Sequence, residues 1–189
     1  MLKLKYLALI PARGGSKGVK NKNIRLVDGK PLISYTINTA RKSECFEDIV
    51  VSTDSEEIAG IAREYGASVP FTRPAELSDD KTKSIDVVIH TLEILGKDYD
   101  AVCFLQPTSP LRKVEDIKGA LVKYEKEGKP TLVSVAKLED PHPHKIKLIK
   151  DNSLIPFIPG TKCEVPRQML PVCYFLNGAI YVIDVNFAK

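Results

Sequence analysis

The sequence predicts a three-layer α/β protein: a mostly parallel sheet with helices on both faces, plus a small β-rich insertion. Two observations predict it. From Tyr6 to Ala136, short apolar, β-branched runs alternate with stretches of helical periodicity, the rhythm of βα units that set parallel strands side by side. From about residue 139 to 176 that rhythm gives way to short segments broken by proline and turn residues, which read as short strands and turns. A chain of 189 residues, 43% hydrophobic and 28% charged, suits one domain with a sizeable core. Its longest apolar runs fall well short of a bilayer span, and no cleavable leader is visible after Met1. A cytoplasmic protein without membrane contact is therefore expected.

The elements follow in order. Residues 6–10 form an unbroken apolar run that Pro11 ends, which predicts a buried strand. Residues 31–42 predict a helix with Leu32, Ile33, Ile37 and Ala40 on one side and Pro31 at its first position. Residues 48–53 are a short β-branched strand. Asp54 or Ser55 then caps a helix to Tyr65, with Glu57 closing a capping box on Asp54 and Gly66 ending it. Residues 67–71 read as a further strand. Residues 84–95 are an amphipathic helix for which Ser84 is a candidate cap. Residues 101–105 are a buried strand with Cys103 as a small core side chain. A helix over 114–126 stops at Gly128, and 131–136 is a strand. Residues 145–149 and 154–158 are the short strands of the insertion, and 177–184 return to the core. Cys45, Cys103, Cys163 and Cys173 show no zinc or redox spacing, as expected in a reducing compartment. His142 and His144 flank Pro143 in a turn and read as structural rather than as metal ligands; His90 reads as a packing or surface residue.

Ligands of such sheets sit beyond the carboxyl ends of the strands. Three loops fall there: the one after Ile10, the Ser52-Thr53-Asp54 turn, and Gln106-Pro107-Thr108-Ser109-Pro110. The first holds Gly14, Gly15 and Gly18 together with Arg13, Lys17, Lys20, Lys22 and Arg25. Small residues let backbone N–H groups approach anionic oxygens, and Arg and Lys add charge-assisted bonds to phosphate. The formal net charge is +4, yet the first 27 residues carry seven Lys or Arg and no acid, which leaves 21 bases against 24 acids elsewhere. A local excess of this kind suits one anionic ligand and argues against a nucleic-acid-coating surface. The loop matches neither common phosphate motif. Lys17 is followed by Gly18, with no Ser or Thr placed for magnesium, and the G-x-G-x-x-G pattern is missing. A nucleotidyltransferase, holding a nucleoside triphosphate in the loop after its first strand, remains.

Here the likeness becomes specific. Ile10-Pro11-Ala12-Arg13-Gly14-Gly15-Ser16-Lys17-Gly18 with Lys22-Asn23 resembles the signature of CMP-N-acetylneuraminic acid synthetases (acylneuraminate cytidylyltransferases). The resemblance continues in order through residues 49–54, Arg73-Pro74-Ala75-Glu76-Leu77, residues 105–112, Pro166-Arg167-Gln168 and residues 177–181, so it covers essentially the whole chain. It implies a nucleotide-diphospho-sugar transferase-like fold and transfer of CMP from CTP to a sialic-acid-like nonulosonic acid, releasing pyrophosphate. It also implies a nucleotide site of Ala12, Arg13, Gly14, Lys17, Lys22, Asn23, Arg73 and Ser84, with Arg13 and Lys17 on the phosphates and Arg73 near the cytosine or ribose. The acid would meet Gln106, Thr108, Ser109, Lys145, Arg167, Gln168 and Asn177, with Lys145 reaching a neighbouring subunit's site. Arg13, Lys17 and Gln106 are the expected catalytic residues: the two cations offset charge on the leaving pyrophosphate, and the polar groups around Gln106 orient the attacking hydroxyl.

The resemblance further implies Mg2+ as cofactor and a homodimer whose β-rich insertion, about residues 139–176, supports self-association or covers the site. The magnesium-binding aspartates of the family would lie beyond Lys189, so no residue of this chain is assigned to the metal, and the domain is expected to be truncated at its C-terminus. Two other readings stay open at this point. One keeps the fold and changes the substrate to legionaminic acid, pseudaminic acid, Kdo or another nucleotide. The other is a nucleotide-binding protein without catalysis.

Overall fold

The structure is a computed structural model that describes residues 4–15, 18–160 and 165–189. Strand β1 (Tyr6–Pro11) lies inside the sheet, next to its middle strand. It pairs in parallel with β4 (Asp48–Ser52) on one side and with β5 (Ala101–Phe104) on the other, so Leu9 faces both Val50 and Phe104. Strand β9 (Cys173–Asp184) runs antiparallel to β5, with Cys103 opposite Val182. Strand β6 (Thr131–Leu138) completes the five-stranded order β4-β1-β5-β9-β6. A continuous apolar β1 is what burial on both faces demands. Tyr6, Ala8 and Ile10 point to the face covered by α1 (Leu32–Ser43), α2 (Glu56–Glu64) and α4 (Val114–Glu127). Leu7 and Leu9 point to the face covered by α3 (Ser84–Leu95) and α5 (Val185–Ala188). Five of the six β1 side chains, Tyr6 to Ile10, are fully buried. The three-layer α/β class read from the sequence is the architecture found.

Several local expectations are corrected. Pro31 precedes α1 as its N-cap and pairs in a two-residue ladder of β2 (Leu26–Val27) with β3 (Lys30–Pro31). Residues 67–71 are not a strand. They bridge β4 at one point only, Ser68 with Val50; just beyond both segments Thr72 bridges Thr53. The cap of α2 is Ser55, whose hydroxyl accepts from the Ile58 N–H at 3.4 Å; Asp54 turns elsewhere, as described below. Helix α3 is closed by the Asp86 carboxylate, which accepts from the Lys83 N–H at 3.2 Å, so Ser84 is not its cap. Helix α4 starts in the same way, with Asp116 accepting from the Lys113 N–H at 2.8 Å, and ends at Gly128 with φ +58°. Cys103 is buried in the core as expected, and burial pushes its thiol pKa up to about 12.

The chain divides into two compact units, Met1–Ser134 with Gly178–Lys189, and Val135–Asn177. The second holds a hairpin of β7 (Lys147–Lys150) and β8 (Ser153–Pro156). Its two-residue turn places Asp151 and Asn152 at φ +49° and +59°, the left-handed pair that a tight hairpin favours. Lys145 lies in the turn Pro143–Lys145 and not in a strand. His142 is buried and its Nε2 lies 2.9 Å from the Pro171 carbonyl, a structural role; His90 packs edge-on against Phe71. Among the described residues no helix is long and apolar enough to cross a membrane.

Candidate active site

The carboxyl ends of β1 and β5 open onto one cavity of about 300 Å³ within the first unit. The loop after β1 enters it with Arg13. Three contacts fix that loop. The Ala12 N–H donates to the Ser52 carbonyl at 2.9 Å. The Asn23 side chain, itself buried, donates to the Arg13 carbonyl at 3.0 Å. The Gly14 N–H donates to the Asp54 carboxylate at 2.8 Å. Space is tight at position 14: a Cβ there would sit 3.2 Å from that of Ser55. The carboxylate that local capping rules assign to α2 thus anchors the glycine-rich loop.

The residues expected on the nucleotide side come together. Arg13, Lys22, Asn23, Arg73 and Ser84 line the cavity. Gln106 and Thr108 line it from the loop after β5. Arg73 is the most informative of these. Its N–H donates to the Thr53 carbonyl at 2.8 Å, which extends the chain alongside the end of β4. The residue is only 5% exposed, and its guanidinium Nε and Nη2 have no hydrogen-bond partner. Burial lowers its pKa first; the Arg13 charge adds to this, and Asp54 opposes it. A buried cation without partners is costly unless something completes it.

Leu77, Asp79, Asp80 and Thr82 also line the cavity, and sequence reasoning missed them. A Ser-Asp-Asp-Lys run carries the signal of a solvated loop. Asp80 pairs with Arg13. Asp79 accepts from Thr82 and Lys81, and the Thr82 hydroxyl, then the two backbone N–H groups, hold its carboxyl below the usual range.

Other expected residues lie apart from this cavity. Ala12, Gly14 and Ser109 shape the loops without lining it. Lys145, Arg167, Gln168 and Asn177 belong to the second unit. There Arg167 donates to the Glu139 carbonyl, Arg167 and Gln168 line a separate cavity of about 470 Å³ with His142 and Cys173, and Lys145 and Asn177 are exposed. Lys17 lies outside the described residues. Among the described residues no group of three or more His, Cys, Asp or Glu is placed to hold a metal ion.

The fold, with its cavity at the strand ends, is that of a nucleotidyltransferase-like α/β protein. Solved structures agree at the level of fold. A CMP-2-keto-3-deoxy-manno-octonic acid synthetase complexed with CTP superposes with a TM-score of 0.73 at 18% identity, covering 97% of this chain and 76% of that one. A 4-diphosphocytidyl-2C-methyl-D-erythritol synthase from Anaerococcus prevotii superposes at 0.66 and 16% identity, covering 96% and 71%. The chain belongs to the cytidylyltransferase family, whose sequence model matches residues 7–155. Over 182 residues it is 41% identical to a CMP-N,N'-diacetyllegionaminic acid synthase of Legionella pneumophila, spanning 95% of this chain and 78% of the relative. It is 40% identical to an N-acylneuraminate cytidylyltransferase of Escherichia coli, spanning 97% of this chain but 43% of that longer relative. A pseudaminic acid cytidylyltransferase of Campylobacter jejuni is 41% identical, with coverages of 94% and 78%.

Proposed function

We propose that this protein transfers the cytidylyl group of CTP to a nonulosonic acid of the sialic, legionaminic or pseudaminic type. The observation that carries the reading is the buried Arg73 guanidinium, with Nε and Nη2 unpartnered, in a cavity it shares with Arg13 and Lys22. Bound CTP supplies the missing acceptors. Gln106 and Thr108, on a loop stiffened by Pro107 and Pro110, form the side on which the acid is received. The acid's anomeric hydroxyl oxygen attacks the α-phosphorus in line, the bond to the β-phosphate oxygen breaks, and pyrophosphate leaves. Arg13 and Lys17 neutralise the charge that gathers on it, and Gln106 orients the hydroxyl.

Magnesium enters this reading with CTP. When bound it spreads charge across the phosphates and needs only one or two protein carboxylates beside them. Asp79 and Asp80 are the carboxylates of the cavity. Each is engaged by protein donors, so they are not a preformed cage. We also propose a homodimer formed through the second unit, where Ile149, Leu154, Phe157, Met169 and Tyr174 are exposed. Lys145 from one copy would then serve its neighbour. Sedimentation analysis reads this directly, and a monomer at micromolar concentration refutes it.

Incubating the protein with CTP, Mg2+ and, separately, N-acetylneuraminic, N,N'-diacetyllegionaminic and pseudaminic acids tests the reaction. Pyrophosphate release together with a CMP-sugar mass is the expected result. Tight CTP binding with no turnover of any acid would leave a nucleotide-binding protein instead. Identities of 40% and 41% to relatives named for three different acids rank none above the others.

A further inference from the structure

We propose that Arg112 is a positioning residue of the acid side of the site, clamping the Gln106–Ser109 turn from beneath through its guanidinium. This rests on the reading of Gln106 given above. Arg112 is 6% exposed and does not line the cavity. Its Nη2 donates to the Gln106 carbonyl at 2.8 Å, Nε to the Ala179 carbonyl at 2.8 Å, and Nη1 to Thr36 Oγ1 at 3.2 Å. Three separate segments meet on one side chain: the loop after β5, the bend in β9 and helix α1. Its backbone N–H closes the same turn on the Ser109 carbonyl at 3.3 Å, and the Ser109 N–H returns to Gln106 at 3.3 Å.

Gln106 is held on its other side as well. Gly178 has φ +74°, and a Cβ there would lie 2.7 Å from Gln106 Oε1. The amide therefore rests on a bare α-carbon whose own neighbour, Ala179, is tied to Arg112. Backbone and side chain of Gln106 are fixed by two adjacent residues of β9, one by absence of a side chain and one by an accepted hydrogen bond. All three guanidinium contacts go to neutral acceptors. Burial brings the pKa down to about 10, so the group stays charged at neutral pH. Only a planar fork reaches three acceptors in different directions. A lysine amine at the end of a flexible stem cannot hold them together.

The test compares Arg112→Lys and Arg112→Met with the wild-type protein. Hydrogen–deuterium exchange needs no substrate. Peptides spanning 105–112 and 178–182 should lose protection in both variants, while the peptide of α1 keeps it. With CTP and whichever acid the wild type turns over, KM for the acid should rise about tenfold or more and kcat should fall. KM for CTP should stay within about twofold, since no nucleotide-side residue touches Arg112. Arg112→Lys keeps the charge and a single donor nitrogen, so it remains usable if Arg112→Met does not fold, and its loss should be the smaller. Unchanged exchange over 105–112 in folded Arg112→Lys overturns the proposal, and so does a KM for CTP that rises as far as that for the acid. A wild type that turns over none of the acids refutes the proposed reaction instead, because the exchange result does not depend on turnover.

Discussion

If Arg73 binds CTP as proposed, stability and ligand binding pull on it in opposite directions. Its guanidinium is desolvated, and two of its nitrogens have no partner. Replacing an unpartnered buried charge by an apolar chain of similar length is neutral or stabilising, whereas charge-assisted bonds to a ligand contribute about 1.5–3 kcal/mol each. Arg73→Met should therefore melt at the same or a higher temperature than the wild type and bind CTP at least roughly tenfold more weakly, read by calorimetry. A variant that loses stability and keeps its CTP affinity would contradict the assignment. Gly178 poses the converse case. At φ +74° with Gln106 Oε1 in the space of a Cβ, Gly178→Ala should cost about 1–2 kcal/mol by denaturant melt and lower turnover through Gln106. Arg73 was legible because it precedes Pro74 inside an ordered motif. Asp80 and Arg112 were not marked as site residues, because their importance lies in what they touch 67 residues away, Arg13 for one and Ala179 for the other.

At the level of elements, the loop–helix junction after β4 separates two jobs that adjacent residues perform. Ser55 caps α2 through a long hydrogen bond, and Asp54 holds the Gly14 N–H. Ser55→Ala should cost about 0.5–1 kcal/mol of stability with CTP affinity unchanged. Asp54→Asn should weaken CTP binding with little loss of stability, and thermal melts with and without CTP distinguish the two. A capping rule sees only that Ser or Asp stands before a helix; which one turns away depends on the loop 40 residues earlier. Strand content was plain from apolar runs, because β1 and β5 are buried on both faces. Strand direction was not, since an alternating pattern reads the same forwards and backwards and β9 runs against β5. Residues 67–71 hold Val69 and Phe71 but also Pro70, which cannot donate to a ladder, and the segment meets β4 only at the single bridge of Ser68 with Val50.

The link between β4 and the segment before β5 adds a pH dependence. Lys97 at 2.8 Å, then Tyr99, hold the Asp48 carboxyl below its ordinary value of 3.8. Stability from this group is complete above about pH 5 and is lost as pH falls through and below about 4. Asp48→Asn should lower the melting temperature at pH 7 and flatten its fall between about pH 5 and 3.

For the molecule as a whole, the distribution of charge matters more than its sum. A net charge of +4 would predict a weakly basic surface, but the excess sits in the first 27 residues and the remainder is mildly acidic. Part of that excess is carried into the cavity by Arg13 and Lys22, and Arg13 is already matched by Asp80. A polyphosphate must take Arg13 from a partly exposed carboxylate, a contact that salt weakens, while Arg73 meets the ligand in a buried setting that salt reaches poorly. Two regimes follow. Long-range attraction to the basic loop should fade once the screening length falls well below the size of the cavity mouth, at a few hundred millimolar salt. The contribution of Arg73 should persist. The dissociation constant for CTP should therefore rise roughly three- to tenfold between about 50 and 500 mM NaCl and then level off, while the melting temperature of the unliganded protein changes little. In Arg73→Met the levelling should disappear, because only screened contacts remain. A salt-independent affinity in the wild type would mean that the basic loop does not face the ligand's phosphates.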